Sequence, residues 1–159
     1  MRQGGRKLAA SGTNPRGVEG GNRLVKKILV ADDDPPLRGL LHLVATRAGF
    51  EVDVASNGAE ALEKIRGGAY SVAIIDLMMP RMSGYELIDR LAELPKRPAV
   101  IVVTALPEGA HARLNSAVVS SILQKPFEIG LLTAVLLELA ATHERSDSGA
   151  NVVDFPRSN

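Results

Sequence analysis

Ile28-Leu29-Val30-Ala31-Asp32-Asp33-Asp34 is the stretch on which the fold turns. Its apolar part is too short for a helix and reads as a buried strand, closed by three acids. Val72-Ala73-Ile74-Ile75-Asp76 repeats the pattern with a single aspartate at its end. If the two runs are neighbouring parallel strands, their carboxylates meet at one edge of the sheet and repel each other unless a cation stands between them. Carboxylate oxygens suit Mg²⁺, which usually takes one or two of them and completes its shell with water and phosphate oxygens. The two strand ends therefore point to a divalent-metal site beside a potential nucleophile, with ligand positions open to a phosphoryl group.

Moving outward, the chain alternates strand-like and helix-like segments. Leu37, Leu40, Leu41, Val44 and Ala48 recur at helical spacing until Gly49. Phe50, Val52 and Val54 alternate as a half-buried strand. Asn57 with Glu60 and Ser83 with Glu86 have capping-pair spacing, the first opening a helix with Ala61, Leu62 and Ile65 inward, the second a helix with Leu87, Ile88 and Leu91 inward. Ala99–Val103 reads as a fourth strand and Ile122–Gln124 as a short fifth. Ile129, Leu132, Val135, Leu136 and Leu139 stripe a final helix. Five strand-helix units predict an open parallel α/β sheet with helices on both faces. Asp32, Asp33, Asp34, Asp76, Thr104 and Lys125 each follow a strand, so all fall on the carboxyl edge, where such sheets bind ligands.

Composition narrows the classes. The 159 residues suffice for one domain, and with three Phe, two Tyr and no Trp an aliphatic core is expected. Zero cysteines exclude disulfides, thiolate metal sites and a cysteine nucleophile, and make a cytoplasmic location the default. No apolar run reaches membrane-spanning length, and no secretory signal pattern is present. Residues 1 to 27 carry seven Lys/Arg against one Glu, whereas the other 132 carry 12 basic and 17 acidic residues, so the folded body is acidic. The expected organisation is a disordered basic leader over 1–24, a folded domain over 25–143 and a flexible C-terminal tail over 144–159.

The segments Ile28 to Asp34, Asp76-Leu77-Met78-Met79-Pro80 with Ser83-Gly84 behind it, Val103-Thr104-Ala105 and Lys125-Pro126-Phe127 jointly resemble the receiver domain of two-component response regulators. The resemblance covers about Lys27 to Ala140. It implies a flavodoxin-like sheet of strand order 2-1-3-4-5. It implies that Asp76 accepts a phosphoryl group from a phosphohistidine of a histidine kinase or phosphotransfer protein, forming an acyl phosphate. By the same resemblance Asp33 is a direct Mg²⁺ ligand, Asp32 holds a metal-bound water, and Asp76 and the Met78 carbonyl complete the protein's share of the metal shell. Lys125 pairs first with Asp76 and then with a phosphoryl oxygen. Thr104 turns its hydroxyl onto another, and the small Ala105 leaves the entrance open.

Each residue has a plainer reading when taken singly. The three aspartates suit the N-terminus of a helix opening at Pro35-Pro36, Asp76 a turn, Thr104 a strand end and Lys125 solvent. Their conjunction favours the site. His42, His111 and His143 have no ligand-like partners in sequence and read as surface or helix residues, and the Met78 and Met79 side chains read as shape-filling. Two departures from the receiver pattern stand out. Ile122 replaces the usual aromatic of the fifth strand, and Ser116-Ala117-Val118-Val119-Ser120-Ser121 replaces the usual Gly-Ala turn before it.

The leading expectation is a stand-alone, non-enzymatic receiver that signals to a downstream protein target by docking or relays the group onward. A homodimer is among its allowed partners, and direct DNA binding is not expected because no helix-turn-helix fits after Ala140. A phosphorylation-independent scaffold on the same fold is the second reading, favoured by Ile122 and by an unusual fourth helix, expected between the fourth and fifth strands. A Mg²⁺-dependent phosphohydrolase is the third; it wants an Asp-x-Asp nucleophile loop, which Asp32 and Asp34 match only nominally because Pro35-Pro36 follow at once. Met78 and Leu106, each two residues beyond a strand-end site residue, are expected to shield an acyl phosphate from water and slow its loss.

Overall fold

β1 (Lys27–Ala31) runs through the interior of a five-stranded parallel sheet, with β2 (Glu51–Ala55) on one side and β3 (Val72–Asp76) on the other. β4 (Ala99–Thr104) follows β3, and β5 (Val119–Gln124) closes the order β2-β1-β3-β4-β5. The computed structural model describes residues 25–148. The expected basic leader, and the expected tail beyond 148, lie outside the described residues.

The continuous apolar runs are explained by burial on both faces. All five residues of β3 are buried. Alternate residues feed two separate layers: Leu29, Ala73, Ile75, Val100 and Val102 pack on one face, and Ile28, Val30, Val72, Ile74, Ile101 and Val103 on the other. The first face is covered by α2 (Gly58–Gly67) and α3 (Gly84–Ala92), the second by α1 (Pro35–Arg47) and α4 (Ile129–Ser148). Leu87, Ile88 and Leu91 of α3 are fully buried, which contributes about 1.5–3 kcal/mol for each side chain.

The helix boundaries follow local chemistry. Pro35 opens α1, where its missing N–H costs nothing, and Gly49 takes φ 97° just beyond the last turn. Ser83 and Glu86 form a complete capping box on α3. On α2, Asn57 accepts the Glu60 N–H at 2.9 Å as expected, but the Glu60 carboxylate turns to the Ser56 N–H, also 2.9 Å away, instead of completing the box with Asn57.

Three elements differ in extent from the sequence expectation. Between β4 and β5 there is a short 3₁₀ helix, Glu108–Arg113, in place of an α-helix, with no buried residue to anchor it. β5 starts at Val119 instead of Ile122: Val119 pairs with Val100, and a register shift then brings Ser121 opposite Ile101. Serines on an edge strand hide such a start. The last helix runs to Ser148, past the expected boundary at 143, because polar residues such as Glu144 and Arg145 sustain a helix as well as they sustain a tail.

Candidate functional site

The in-register strands deliver the predicted residues to one edge. Ala31 lies opposite Ile75, Asp76 opposite Val103, and Thr104 opposite Gln124. The next residues of β1 and β5 are Asp32 and Lys125. Asp32 and Thr104 are about fully buried at 1% and 0% exposure, Asp76 is buried at 6%, and Asp33 is exposed.

Lys125 Nζ stands 3.3 Å from Asp76 Oδ2 and 3.4 Å from Asp32 Oδ2. The other oxygen of Asp76 accepts the Met78 N–H at 3.3 Å, and that of Asp32 accepts the Asp34 N–H at 2.9 Å. Thr104 Oγ1 accepts the Leu106 N–H at 3.1 Å, while the Thr104 carbonyl takes the Lys125 N–H at 2.8 Å. Asp32, Asp33, Asp76, Thr104 and Lys125 are thus brought together as expected. Met78 adjoins them through its amide, with its side chain 61% exposed, and Asp34 stands at the head of α1 with an exposed side chain.

Electrostatics of the cluster favour a cation. Burial pushes the Asp32 carboxyl above its ordinary range, and the Asp76 charge pushes the same way, against the Asp34 amide and Lys125. Asp32, Asp33 and Asp76 each offer an oxygen within 4.8 Å of the others, and one ammonium cannot neutralise three carboxylates. An all-oxygen set of this size, half open to solvent, fits Mg²⁺ better than zinc or a thiophilic metal.

Several contributors were not legible in sequence. A Cβ on Gly84 would lie 2.3 Å from the Asp76 carbonyl oxygen, and one on Gly58 would lie 2.3 Å from that of Met82. The two glycines therefore grip the loop after Asp76 from α3 and α2, with Gly84 N–H donating to Leu77 and Gly58 N–H to Met82, each at 3.0 Å. Gly84 was visible as part of a motif; Gly58 gave no signal. In the same loop Arg81 takes φ 66°, a left-handed conformation unusual for a side-chain-bearing residue. Arg38 donates to the Asp32 carbonyl at 2.7 Å, which fixes the first acidic turn on α1. His111, expected as a surface or helix residue, lies in the 3₁₀ helix Glu108–Arg113, half-buried with its Nε2 3.3 Å from the Leu106 carbonyl oxygen.

An open, doubly wound sheet with three acids, a hydroxyl and an ammonium at its carboxyl edge defines a class of phosphoryl-handling α/β domains. Comparison with known proteins places the chain within it: the response regulator receiver domain matches residues 28–137. The chain belongs to that family, whose members are signalling domains of two-component systems. It is 30% identical over 135 residues to a transcriptional regulatory protein, the CpxR homolog of Haemophilus influenzae, covering 82% of this chain and 59% of that protein. It is equally 30% identical over 135 residues to the transcriptional regulatory protein SrrA of Staphylococcus aureus, covering 81% and 56%. The chain thus spans little more than half the length of these curated relatives. Among solved structures, the response regulator TrrA of Thermotoga maritima, in complex with Mg(2+)-BeF, matches with 34% identity and a TM-score of 0.66 over 72% of this chain and 99% of that one. A CheY-like receiver domain protein of Methanospirillum hungatei matches with 25% identity and a TM-score of 0.71, over 77% and 98%. No helix among the described residues is long and apolar enough to cross a membrane.

Proposed function

We propose that this receiver domain takes a phosphoryl group from a histidine kinase or phosphotransfer protein onto Asp76, and signals by docking to a downstream protein or by passing the group on. The observation that carries this reading is the triangle of Lys125 Nζ with Asp76 Oδ2 and Asp32 Oδ2 at 3.3 and 3.4 Å, on the edge that also holds Asp33 and Thr104. A carboxylate oxygen of Asp76 attacks phosphorus as the P–N bond to the donor imidazole breaks, and the bonding pair leaves with the imidazole nitrogen. Asp32, Asp33, Asp76 and the Met78 carbonyl are the groups that would hold Mg²⁺, which offsets the negative charge concentrated by the transfer. Lys125 follows the phosphoryl oxygens once Asp76 carries the acyl phosphate, and Thr104 donates its hydroxyl hydrogen bond to another of them. TrrA, described in complex with Mg(2+)-BeF, supports the metal and acceptor assignments by similarity.

A second reading, a scaffold whose partners ignore phosphorylation, is favoured by one observation: Ile122, 37% exposed on β5, carries no polar group to follow a moving hydroxyl. Acetyl phosphate with Mg²⁺, read by intact mass, tests the leading proposal. One phosphoryl group gained by the natural chain and none by Asp76→Asn is the expected result. Equal gain in both, or none in either, overturns it. Partner affinity with and without the modification then separates switch from scaffold.

A further inference from the structure

Ile122 carries no polar group to report on Thr104, and the described residues contain a connected set of contacts that leads from Thr104 to another side chain. Thr104 Oγ1 accepts the Leu106 N–H at 3.1 Å, so a hydroxyl drawn toward a phosphoryl oxygen strains or releases that amide. The carbonyl of the same residue faces His111 Nε2 at 3.3 Å. One residue, Leu106, therefore joins the buried hydroxyl to the 3₁₀ helix Glu108–Arg113. That helix has no buried residue of its own, so its position depends on tethers more than on packing.

A second tether to the rest of the fold is Tyr85, in the first turn of α3. The phenol donates to the Ala110 carbonyl at 3.0 Å, and the Arg113 guanidinium lies 5.0 Å from the ring centroid on the same aromatic. Tyr85 and Leu106 are both half-buried against the core layer beneath α2 and α3. Tyr85 thus holds the 3₁₀ helix at Ala110 and Arg113, while Thr104 holds it through Leu106 and His111.

We propose that Tyr85 is the positioning residue through which the Thr104 hydroxyl is coupled to the state of Asp76. This rests on Asp76 being the acceptor. In the unmodified chain the Tyr85–Ala110 hydrogen bond favours the arrangement in which Thr104 serves Leu106. Phosphoryl transfer draws Thr104 away, the 3₁₀ helix shifts, and the phenol loses or changes its partner. Because linkage is reciprocal, removing the phenol's hydrogen bond eases modification of Asp76.

The chain has two tyrosines and no tryptophan, so Tyr70→Phe leaves Tyr85 as the emitting side chain. That protein is treated with acetyl phosphate and Mg²⁺ while intact mass and tyrosine emission are followed together. Emission is expected to change in step with the mass gain. In parallel, Tyr85→Phe in the natural background keeps the ring and loses one hydrogen bond; at a fixed donor concentration its ratio of modified to unmodified protein should rise roughly two- to tenfold. A residue that merely packs would leave that ratio unchanged. Mass gain with constant Tyr85 emission, or an unchanged ratio in Tyr85→Phe, overturns the proposal. Absence of mass gain in the natural chain overturns the acceptor assignment, and this coupling with it.

Discussion

Lys125 and Asp76 stand 3.3 Å apart across the gap between the ends of β5 and β3, and the same ammonium reaches Asp32 at 3.4 Å. One flexible cation therefore holds two buried carboxylates that would otherwise repel. Lys125→Met should destabilise the protein by about 1–3 kcal/mol in metal-free buffer, because two buried acids lose their partner. Mg²⁺ should restore more stability to this variant than it adds to the natural chain. Urea unfolding with and without Mg²⁺ measures both; an identical Mg²⁺ increment in the two proteins would count against a shared cation site.

Asp32→Asn tests the same cluster from the other side. Removing a carboxylate that burial already holds above its usual range should stabilise the apo protein while weakening Mg²⁺ binding. Calorimetric titration with Mg²⁺ alone reads the second effect, and loss of both stability and affinity would refute the electrostatic account.

Gly84 and Gly39 form a controlled pair. Gly84→Ala places a methyl group against the Asp76 and Leu77 backbone and should cost about 1–3 kcal/mol and slow phosphoryl gain. Gly39, within α1, has nothing within 4 Å of an added Cβ, so Gly39→Ala should stabilise by about 0.5–1 kcal/mol without changing phosphoryl gain.

Tyr70, Asp53 and Lys27 predict an alkaline limit. The Tyr70 hydroxyl donates to Asp53 Oδ2 at 2.6 Å, and Lys27 Nζ lies 2.8 Å from the same oxygen. Burial, then the Asp53 hydrogen bond, pushes Tyr70 up from 10.0 to about 12. Its folded value exceeds its unfolded one, so the stability it contributes is full below pH 10 and is lost as pH rises toward about 12. Absorbance titration of tyrosinate in Tyr85→Phe should place Tyr70 near the upper figure, and Asp53→Asn should bring it down. An ordinary value in the natural pair would remove the argument.

Met78 bears on lifetime. Its side chain is largely exposed two residues beyond Asp76, while Leu106, partly buried, sits two beyond Thr104. Replacing Met78 with Ala should accelerate loss of the acyl phosphate by admitting water, measured as decay of the phosphorylated mass after donor removal. Unchanged decay would assign shielding to Leu106 or to neither.

Much of this architecture could be seen in residue patterns because parallel strands buried on both faces appear as unbroken aliphatic runs, as in Ile28–Ala31 and Val72–Ile75, with chemistry-bearing residues concentrated just beyond them. The start of β5 was hidden because an edge strand tolerates Ser120 and Ser121, and its bulge has no local marker. The 3₁₀ helix, the Glu60 carboxylate on Ser56 and the Tyr85 to Ala110 contact depend on which neighbour is nearest in space. Tyr85 and Ala110 are 25 positions apart, so spacing rules for helices or strands could not connect them.

The grip of Gly58 on Met82 has a genetic consequence. Since α2 begins against the carbonyl of a residue that belongs to the loop following Asp76, a methyl group there must displace backbone that leads directly to Asp76. A random-mutagenesis selection for silent signalling alleles should therefore recover codon 58 alongside the aspartate codons, and second-site revertants should cluster between Pro80 and Ser83.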